Sequence, residues 1–456
     1  MTTGDVAQAR PRRLRWETLA GSSSVILQDD DYRHLWLGRL CSHTALNAVL
    51  YTMLVLAVGE GGGASIKSAL FITAYMLPTA TLGSISGVLV DRLPKNLLMC
   101  ALNVIRLGLM VILIMADTDV WTIYGIALLI AMTSQFSGPA EAAALPHLVE
   151  PRQLTAANSA NNFGGLLSQV AGFAIVAPLF LNTVGERPLF AAAAVLFGAG
   201  AFFFLSIGRL GPHEVDIDST IDAVRDMRKG FAEGWETLGR NLAAHMSVII
   251  MVLASTASLV AVTLMPAFTQ DVLDVPVKNA IYVFLPAALG ILAGLRLVQA
   301  LERRIAKGWL VGAGFGLLCA SLICLSLTVP FANVIEGVNL FGIFDPGPLG
   351  ETSARIAVTV VFSTVAAFSF SITGVSSRSL VNESMPLEVQ GRVFAAQNVL
   401  TNLASIPPIL LAGVLSELAG VPPIMFLAAV ILLFAAAWSI AGAAARQKGR
   451  EHAAAP

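Results

Sequence analysis

Charged residues are scarce in this chain. Only 12% of its 456 residues are Asp, Glu, Lys or Arg, whereas 56% are hydrophobic. A soluble domain carries about a quarter charged residues, so this sequence has too little polar surface for a globular enzyme of its length. The scarcity of charge therefore predicts an integral membrane protein.

Cysteine and histidine are also few, and neither type is spaced for catalysis or metal binding. The six histidines are scattered, and the sequence has no Ser-His-Asp set and no phosphate-binding Walker loop. These absences predict a protein that is not an enzyme, is not driven directly by ATP, and needs no cofactor, metal or nucleic acid. The four cysteines fall inside apolar runs and are interpreted as small core residues: Cys41, Cys100, Cys319 and Cys324.

What the chain has instead is a series of apolar runs. A run of about twenty apolar residues spans a bilayer as a helix. Twelve such runs lie at 35–58, 69–90, 97–116, 120–144, 157–182, 188–208, 245–268, 279–301, 309–330, 354–378, 393–418 and 420–445. An even number of spans places both termini on the same side of the membrane.

The distribution of lysine and arginine decides which side that is. With a cytoplasmic N-terminus, the inner segments hold nearly all of these residues, and the outer loops hold only Lys67, Arg187, Lys278 and Arg355. Cytoplasmic loops carry an excess of positive residues in membrane proteins. We therefore predict a multi-pass protein of the cell inner (plasma) membrane with both termini in the cytoplasm.

The longest inner connection, 209–244, divides the spans six and six. Two weak internal matches support a duplication, because "DRLPKNLL" (91–98) aligns with "RRIAKGWL" (303–310) and "PRQLTAANSANN" (151–162) with "PLEVQGRVFAAQN" (386–398), each pair in equivalent loops. We predict an all-α membrane protein of twelve transmembrane helices in two pseudo-symmetric six-helix bundles. Its parts are a cytoplasmic tail (1–30), an N-terminal bundle (31–208), a linker with an amphipathic helix (209–244), a C-terminal bundle (245–445) and a second tail (446–456).

The short inner loop between spans 2 and 3 carries the most specific motif. Its sequence, "GVLVDRLPKN" (87–96), has the pattern Gly-x-x-x-Asp-Arg-x-x-Lys. It resembles the signature loop of the major facilitator superfamily, whose glycine allows close helix packing and whose charges hold the cytoplasmic ends of the two halves together. Carried onto this sequence, the resemblance implies a conformational latch of Gly87, Asp91, Arg92 and Lys95.

A plainer interpretation of the same loop stays open. The two bases satisfy the positive-inside bias, and Asp91 serves as the N-cap of the following helix. Three further features resemble the macrolide-efflux and enterobactin-export branch of the superfamily. They are Pro94 in place of the second motif glycine, "FSGPAEAAALPHLVEPRQLTAAN" (136–158) and "NESMPLEVQGRVFAAQN" (382–398).

The latch needs a partner in the second half. We expect the Asp91 carboxylate to accept hydrogen bonds from the amides at the start of span 11, near Gly391 and Val393, with Arg392 beside it. Such a contact contributes about 1–2 kcal/mol. In the second half Arg303 replaces the acid and Glu302 lies one residue away, so the corresponding latch there is degenerate.

Ionisable residues inside the spans are costly and usually functional. Arg39 and Arg296 lie near the inner face, where they can extend to water. Arg106 lies deep in span 3 and is expected to pair with Glu141 or with a carbonyl of span 2. Glu141, about one turn from the inner face, is with Arg106 the candidate for proton coupling. The coupling itself is implied by the resemblance, because no carboxylate lies at the bilayer midplane.

Neutral polar side chains predict the substrate cavity. Amides and hydroxyls among Met and Phe suit an amphipathic organic molecule better than a strongly charged one. The alternative is that these groups join helices to one another. The candidate cavity residues are Asn47, Thr52, Gln135, Asn162, Gln169, Asn398 and Asn402.

The resemblance and the cavity together imply a function. We expect a monomeric secondary exporter of small hydrophobic or amphipathic compounds that works by alternating access, with the bilayer as its solvent and protons as the coupling ion. The alternatives are a transporter of a siderophore or lysolipid-type metabolite, and a membrane sensor that transports nothing.

Overall fold

The fold is built almost wholly from long helices. The computed structural model describes residues 29–59, 62–116, 119–208, 238–239, 241–338, 350–385 and 387–453. Within these ranges there is no β-strand. Because lipid offers no hydrogen-bond partners to the backbone, helices that satisfy their own amides are what an apolar chain of this kind must form.

The described residues of the first half form seven α-helices. They are α1 (Asp30–Val58), α2 (Ala64–Arg92), α3 (Lys95–Met115), α4 (Val120–Leu148), α5 (Leu154–Gln169), α6 (Ala177–Thr183) and α7 (Glu186–Ser206). A π-helical segment, Val170–Val176, joins α5 and α6 into one bent span.

The second half repeats this plan with seven helices. They are α8 (Leu242–Asp271), α9 (Ile281–Glu302), α10 (Lys307–Ser326), α11 (Thr328–Val338), α12 (Gly350–Ser384), α13 (Leu387–Ala419) and α14 (Val421–Ala453). Eleven stretches of the described residues are long and apolar enough to cross a membrane, and the 29-residue α2 is the remaining predicted span. The predicted fold class is confirmed.

Small residues let the helices of each half approach closely. A Cβ on Gly290 of α9 would lie 2.2 Å from the carbonyl oxygen of Thr364 in α12, and one on Gly314 of α10 would lie 2.5 Å from the Thr373 hydroxyl. Close backbone approach of this kind is how helices associate in lipid, where no hydrophobic force drives them together. Glycine at these positions therefore fixes the packing of α9 and α10 on α12.

The two halves meet through α2, α8 and α13. We call the end of the bundle where α1 finishes and α2 begins the distal end, and the end that carries Asp30 and the turn at Leu93–Pro94 the proximal end. A Cβ on Gly413 of α13 would lie 2.6 Å from the Cβ of Ala69 in α2. The Tyr51 hydroxyl, from the first half, donates to the Val277 carbonyl of the second at 3.1 Å. These contacts join the halves near the distal end.

The outer surface is apolar, as a lipid-facing surface must be. Large hydrophobic side chains are exposed along most spans, and three tryptophans are more than 75% exposed, namely Trp121, Trp309 and Trp438. Trp121 begins α4 and Trp309 begins α10, at opposite ends of the bundle. Tryptophan is enriched at the two membrane interfaces, so these residues mark the edges of the apolar band.

Several predicted boundaries differ from the structure. Helix α4 continues to Leu148 through Pro146, so Glu141 lies about two turns from its end and not one. Residues 328–338, predicted in part as an outer loop, form α11, and α14 runs through most of the predicted C-terminal tail to Ala453. The predicted linker helix and nearly all of the predicted N-terminal tail lie outside the described residues.

Candidate functional site

A buried ion cluster lies between α1 and α4 in the first half. Glu141 of α4 is 4% exposed. Its Oε2 lies 2.7 Å from Nε of Arg39 and 3.1 Å from Nε2 of His43, both on α1. The Arg39 contact is an ion pair without the angle of a hydrogen bond. The expectation that Arg39 extends to water was wrong, because the carboxylate across the helix interface holds it inside the bundle.

Regular spacing brings these groups together. Arg39 and His43 are four residues apart on α1, so they share one face of the helix. On α4, Thr133, Ser137 and Glu141 follow the same spacing. His43 was not among the candidates from the sequence, although its spacing from Arg39 is a signal that could have found it.

Arg106 of α3 is fully enclosed beside this cluster. It is 2% exposed, and its guanidinium donates to the hydroxyl groups of Thr133 at 2.9 Å and Ser137 at 2.8 Å. Two weaker bonds reach Ser42 at 3.3 Å and Ser134 at 3.2 Å. The hydrogen-bond partners are thus hydroxyls on α1 and α4 and not a carbonyl of span 2, and the predicted partner Glu141 interacts with Arg106 through charge alone.

These hydroxyls suit a buried cation. Each can donate to an oxygen while accepting from the guanidinium, and the Thr133 and Ser134 hydroxyls donate to the carbonyl of Ile130 in α4. The Phe197 ring of α7 also lies 5.9 Å from the guanidinium carbon, within cation–π range. Arg106 therefore ties α1, α3 and α4 together.

A small cavity borders the cluster. It holds about 10 Å³ and is lined by Trp36, Arg39 and His43 of α1 and by Asn161, Gly164 and Ser168 of α5. A volume of about 10–15 Å³ holds a single water molecule. The His43 side chain is 32% exposed, whereas that of Glu141 is 5% exposed. Among the groups around Glu141, His43 is therefore much more open to solvent than the carboxylate.

The second half has an apolar cavity of about 230 Å³. Its walls come from α8, α9, α10, α12 and α14, and include Met265, Phe268, Phe370 and Met425. The lining that the structure describes has hydroxyl groups but no charged side chain. Such a space accepts the apolar part of an organic molecule.

The two halves are joined by a carboxylate at the distal end. Glu417 of α13 accepts from the backbone amides of Gly63 at 3.1 Å and Ser65 at 3.0 Å. These amides belong to the N-terminus of α2, whose own N-cap, Gly63, has no side chain to satisfy them. A negative charge is favoured there by the helix dipole. Glu417 thus caps a helix of the other half.

No group of three or more His, Cys, Asp or Glu is placed to hold a metal ion in the part of the chain that the structure describes. The buried ion cluster instead consists of the Glu141 carboxylate with the Arg39 guanidinium and the His43 imidazole beside it. It can exchange a proton and can change the packing of α1 against α4.

Comparison with known proteins places this arrangement in a family. The sequence profile of the Major Facilitator Superfamily matches residues 35–407. The chain belongs to the major facilitator superfamily. Its members are transporters, so the chain is a multi-pass membrane transporter and not an enzyme. No curated protein matches the chain.

Solved structures agree at the level of the fold. A mutant of the nucleoside transporter NupG is similar with a TM-score of 0.65 and 13% identity over 90% of this chain and 98% of that one. A POT family transporter in complex with a thioalcohol-conjugated peptide has a TM-score of 0.63 and 11% identity, over 89% of this chain and 94% of that one. Both likenesses show the major facilitator fold alone.

The predicted superfamily latch is only partly visible. Asp91 lies in the last turn of α2 and not at the N-cap of α3, which is Pro94. The structure does not describe the side chains of Asp91 and Arg392, nor the surroundings of Gly87 and Gly391.

The other latch residues are placed at the proximal end. Lys95 is 4% exposed at the start of α3. Arg92 has two buried guanidinium nitrogens, Nε and Nη2, without a hydrogen-bond partner.

The expected docking point on span 11 needs correction. Helix α13 begins at Leu387, so the amides near Gly391 and Val393 lie inside the helix, where they bond to carbonyls one turn earlier. The free amides are those of the first four residues. Gln390 also bonds the Asn382 and Met385 carbonyls, which ties the start of α13 to the end of α12.

The predicted cavity residues do not share one environment. Thr52 is fully buried and bonds the Ala48 carbonyl, and Asn47 bonds the His43 carbonyl. Both bonds stay within α1 and join it to no other helix. Gln135 joins α4 to α2 through the Thr79 hydroxyl at 2.9 Å. The remaining candidates are partly or fully exposed: Asn162, Gln169, Asn398 and Asn402.

Proposed function

We propose that the protein is a proton-coupled secondary exporter of small hydrophobic or amphipathic organic compounds. It works in the cell inner membrane by alternating access, as a monomer with both termini in the cytoplasm, and belongs to the macrolide-efflux and enterobactin-export branch. The observation that carries the proposal is a separation of chemistry: a buried ion cluster lies in the first half and an uncharged cavity in the second.

The cavity supports the substrate class. Its walls offer large, polarisable Met and Phe side chains, which adapt to apolar ligands of different shape. A strongly charged substrate would lose its hydration there without gaining a partner. A neutral or weakly polar organic molecule fits best.

The cluster supports the coupling. Ionisable groups are buried in a membrane protein at a cost of several kcal/mol, so they persist where function requires them. Glu141 and Arg106, the candidate coupling residues, both lie in the cluster or against it. A change of proton occupancy there alters the attraction between α1 and α4.

The contacts between the halves support alternating access. The distal end is closed by the Glu417 cap and by the bond from Tyr51 to Val277. At the proximal end Arg92 has two enclosed nitrogens without a partner. We propose that closure of the proximal end supplies one, through the latch of Gly87, Asp91, Arg92, Lys95, Gly391 and Arg392.

Dye efflux tests the proposal. An efflux-deficient bacterium that expresses the protein should expel the neutral dye Nile red faster than one that expresses Glu141→Gln at the same membrane abundance, and a protonophore should remove the difference. Efflux that survives the protonophore would overturn the coupling. Unchanged dye levels with selective export of a siderophore or a lysolipid would overturn the substrate class.

A further inference from the structure

We infer that His43, and not Glu141, is the group that binds and releases the coupled proton. The inference rests on the proposed proton coupling and names the atom responsible. Its basis is the geometry around Nε2 of His43, which lies 3.2 Å from Oε1 and 3.1 Å from Oε2 of the same carboxylate. The imidazole therefore faces both oxygens of Glu141.

Glu141 is held in its charged form by two permanent cations. Arg39 lies 2.7 Å from its Oε2, and Arg106 donates to Ser137, one helical turn before Glu141. A guanidinium does not lose its proton in a protein. To protonate Glu141 would remove the carboxylate that both cations face, whereas a proton on His43 leaves that carboxylate charged between the cations.

His43 has no such constraint. Histidine is the side chain that ordinarily changes charge between about pH 5 and 8. The charged groups that face it are Arg39 of its own helix and Glu141 of α4, with Arg106 of α3 beyond them. Helix α5 contributes only neutral groups among its described residues, such as Asn161 and Ser168.

The two ring nitrogens of His43 have different roles. Nε2 carries a hydrogen in both forms and donates it to Glu141, so the proton that comes and goes binds at Nδ1. The step forms an N–H bond and breaks an O–H bond: Nδ1 takes a proton from a hydronium ion, which becomes water, and the neutral ring becomes an imidazolium. The ring borders the water-sized cavity, and its side chain is 32% exposed against 5% for Glu141. A proton from water thus reaches His43 first.

Protonation changes the balance of the cluster. With neutral His43, two arginines and one carboxylate give a net charge of +1, and the proton raises it to +2. A second uncompensated charge is costly in a dry site, so the protonated form favours the conformation in which water reaches the cluster. That preference links proton binding to the opening of one end of the transporter.

Titration of the wild-type protein in nanodiscs tests this directly. The six histidines are labelled with ¹⁵N in the ring, and the signal lost in His43→Gln identifies His43. We expect that signal to change from that of a neutral ring to that of an imidazolium as protons are added, while infrared spectra show no carboxylic acid band that disappears in Glu141→Gln. A Glu141-dependent acid band with a neutral His43 would overturn the inference.

Transport in proteoliposomes separates the inference from the proposed function. We expect His43→Gln to lose accumulation of Nile red driven by a pH gradient but to keep Nile red exchange, which needs no net proton movement. His34→Gln is the matched control on the same helix, where the ring stacks on Phe203 at 6.1 Å, and should keep both activities. If His43→Gln still accumulates the dye fully, the role of His43 is refuted and proton coupling stands. If the wild-type protein accumulates no dye in the pH gradient, proton coupling and the inference are both refuted.

Discussion

The two halves of the molecule share a helical plan but differ in what they bury. The first half buries Glu141 against Arg39 and encloses Arg106 among hydroxyl groups of the neighbouring helices. The second half encloses a cavity of about 230 Å³ without a charged wall. An acid of the second half, Glu302, lies at the proximal end of α9. Its Oε2 is 3.9 Å from Nζ of Lys307 and accepts a hydrogen bond from the Ser379 hydroxyl at 3.3 Å.

The difference indicates a division of labour. A duplicated scaffold supplies two bundles that can move against each other, and this motion needs only similar backbones. Chemistry depends on a few side chains, so each half can specialise without a change of fold. The first half is suited to handling charge, and the second to holding an apolar ligand.

Removal of the carboxylate from the first half has the largest expected effect. Glu141→Ala leaves Arg39 and Arg106 without their acid in a buried site. Breaking a buried ion pair costs about 3–5 kcal/mol, and the partial exposure of Arg39 favours the lower end of that range. Thermal unfolding of the purified protein in detergent should show a large loss of stability.

The matched control for this variant is the acid of the second half. Glu302→Ala removes a carboxylate that is 16% exposed, against 5% for Glu141, and whose cation lies 3.9 Å away and also pairs with Glu383, so we expect a smaller loss of about 1 kcal/mol. Equal destabilisation by the two substitutions would contradict the idea that the halves treat charge differently.

The second prediction concerns the apolar cavity. Ala366→Trp on α12 puts a large ring into space that Ala366 lines. We expect loss of dye transport, because the substrate can no longer enter, and an unchanged His43 titration, because the cluster lies in the other half. The measurement is Nile red efflux paired with histidine nuclear magnetic resonance.

A tryptophan elsewhere on the same helix controls for the new side chain. Val361 is 56% exposed on α12, so Val361→Trp points into lipid and should leave transport intact. If the two variants transport equally well, the cavity is not the substrate site.

The fold could be predicted from the sequence more completely than the site. Length and hydropathy define a transmembrane helix locally, so the apolar runs coincide with the observed helices within a few residues. The pair His43 and Glu141 is separated by 98 residues, and no local pattern says that α1 and α4 lie side by side. Each helix carries polar residues four positions apart. This spacing predicts a contact only when it is known which helix packs against that face.

The cavity and the cap on α2 were beyond prediction for different reasons. An apolar cavity is lined by the same residue types that fill a core, so nothing in the sequence distinguishes Met265 or Phe370 from an ordinary core residue. The cap on α2 is formed by Glu417 of α13. Its partners are backbone amides, which have no sequence signature. Arg106 was recognised as buried, but its hydrogen-bond partners are hydroxyls on two other helices and not the acid that the sequence suggested.

The last and smallest predicted effect lies where the halves join. Glu417→Ala removes the carboxylate that accepts from the amides of Gly63 and Ser65 across the distal end. Exposed contacts at a helix N-terminus contribute about 1 kcal/mol, or roughly a fivefold change in a two-state population. We expect the balance to move toward the conformation with an open distal end. Spin labels on the α1–α2 and α8–α9 connections should show a larger population with a long label-to-label distance.

Asp271→Asn is the control, because Asp271 lines the same surface depression without capping α2. If Asp271→Asn widens the distal end as much as Glu417→Ala does, the loss of negative charge is responsible and the loss of the cap is not.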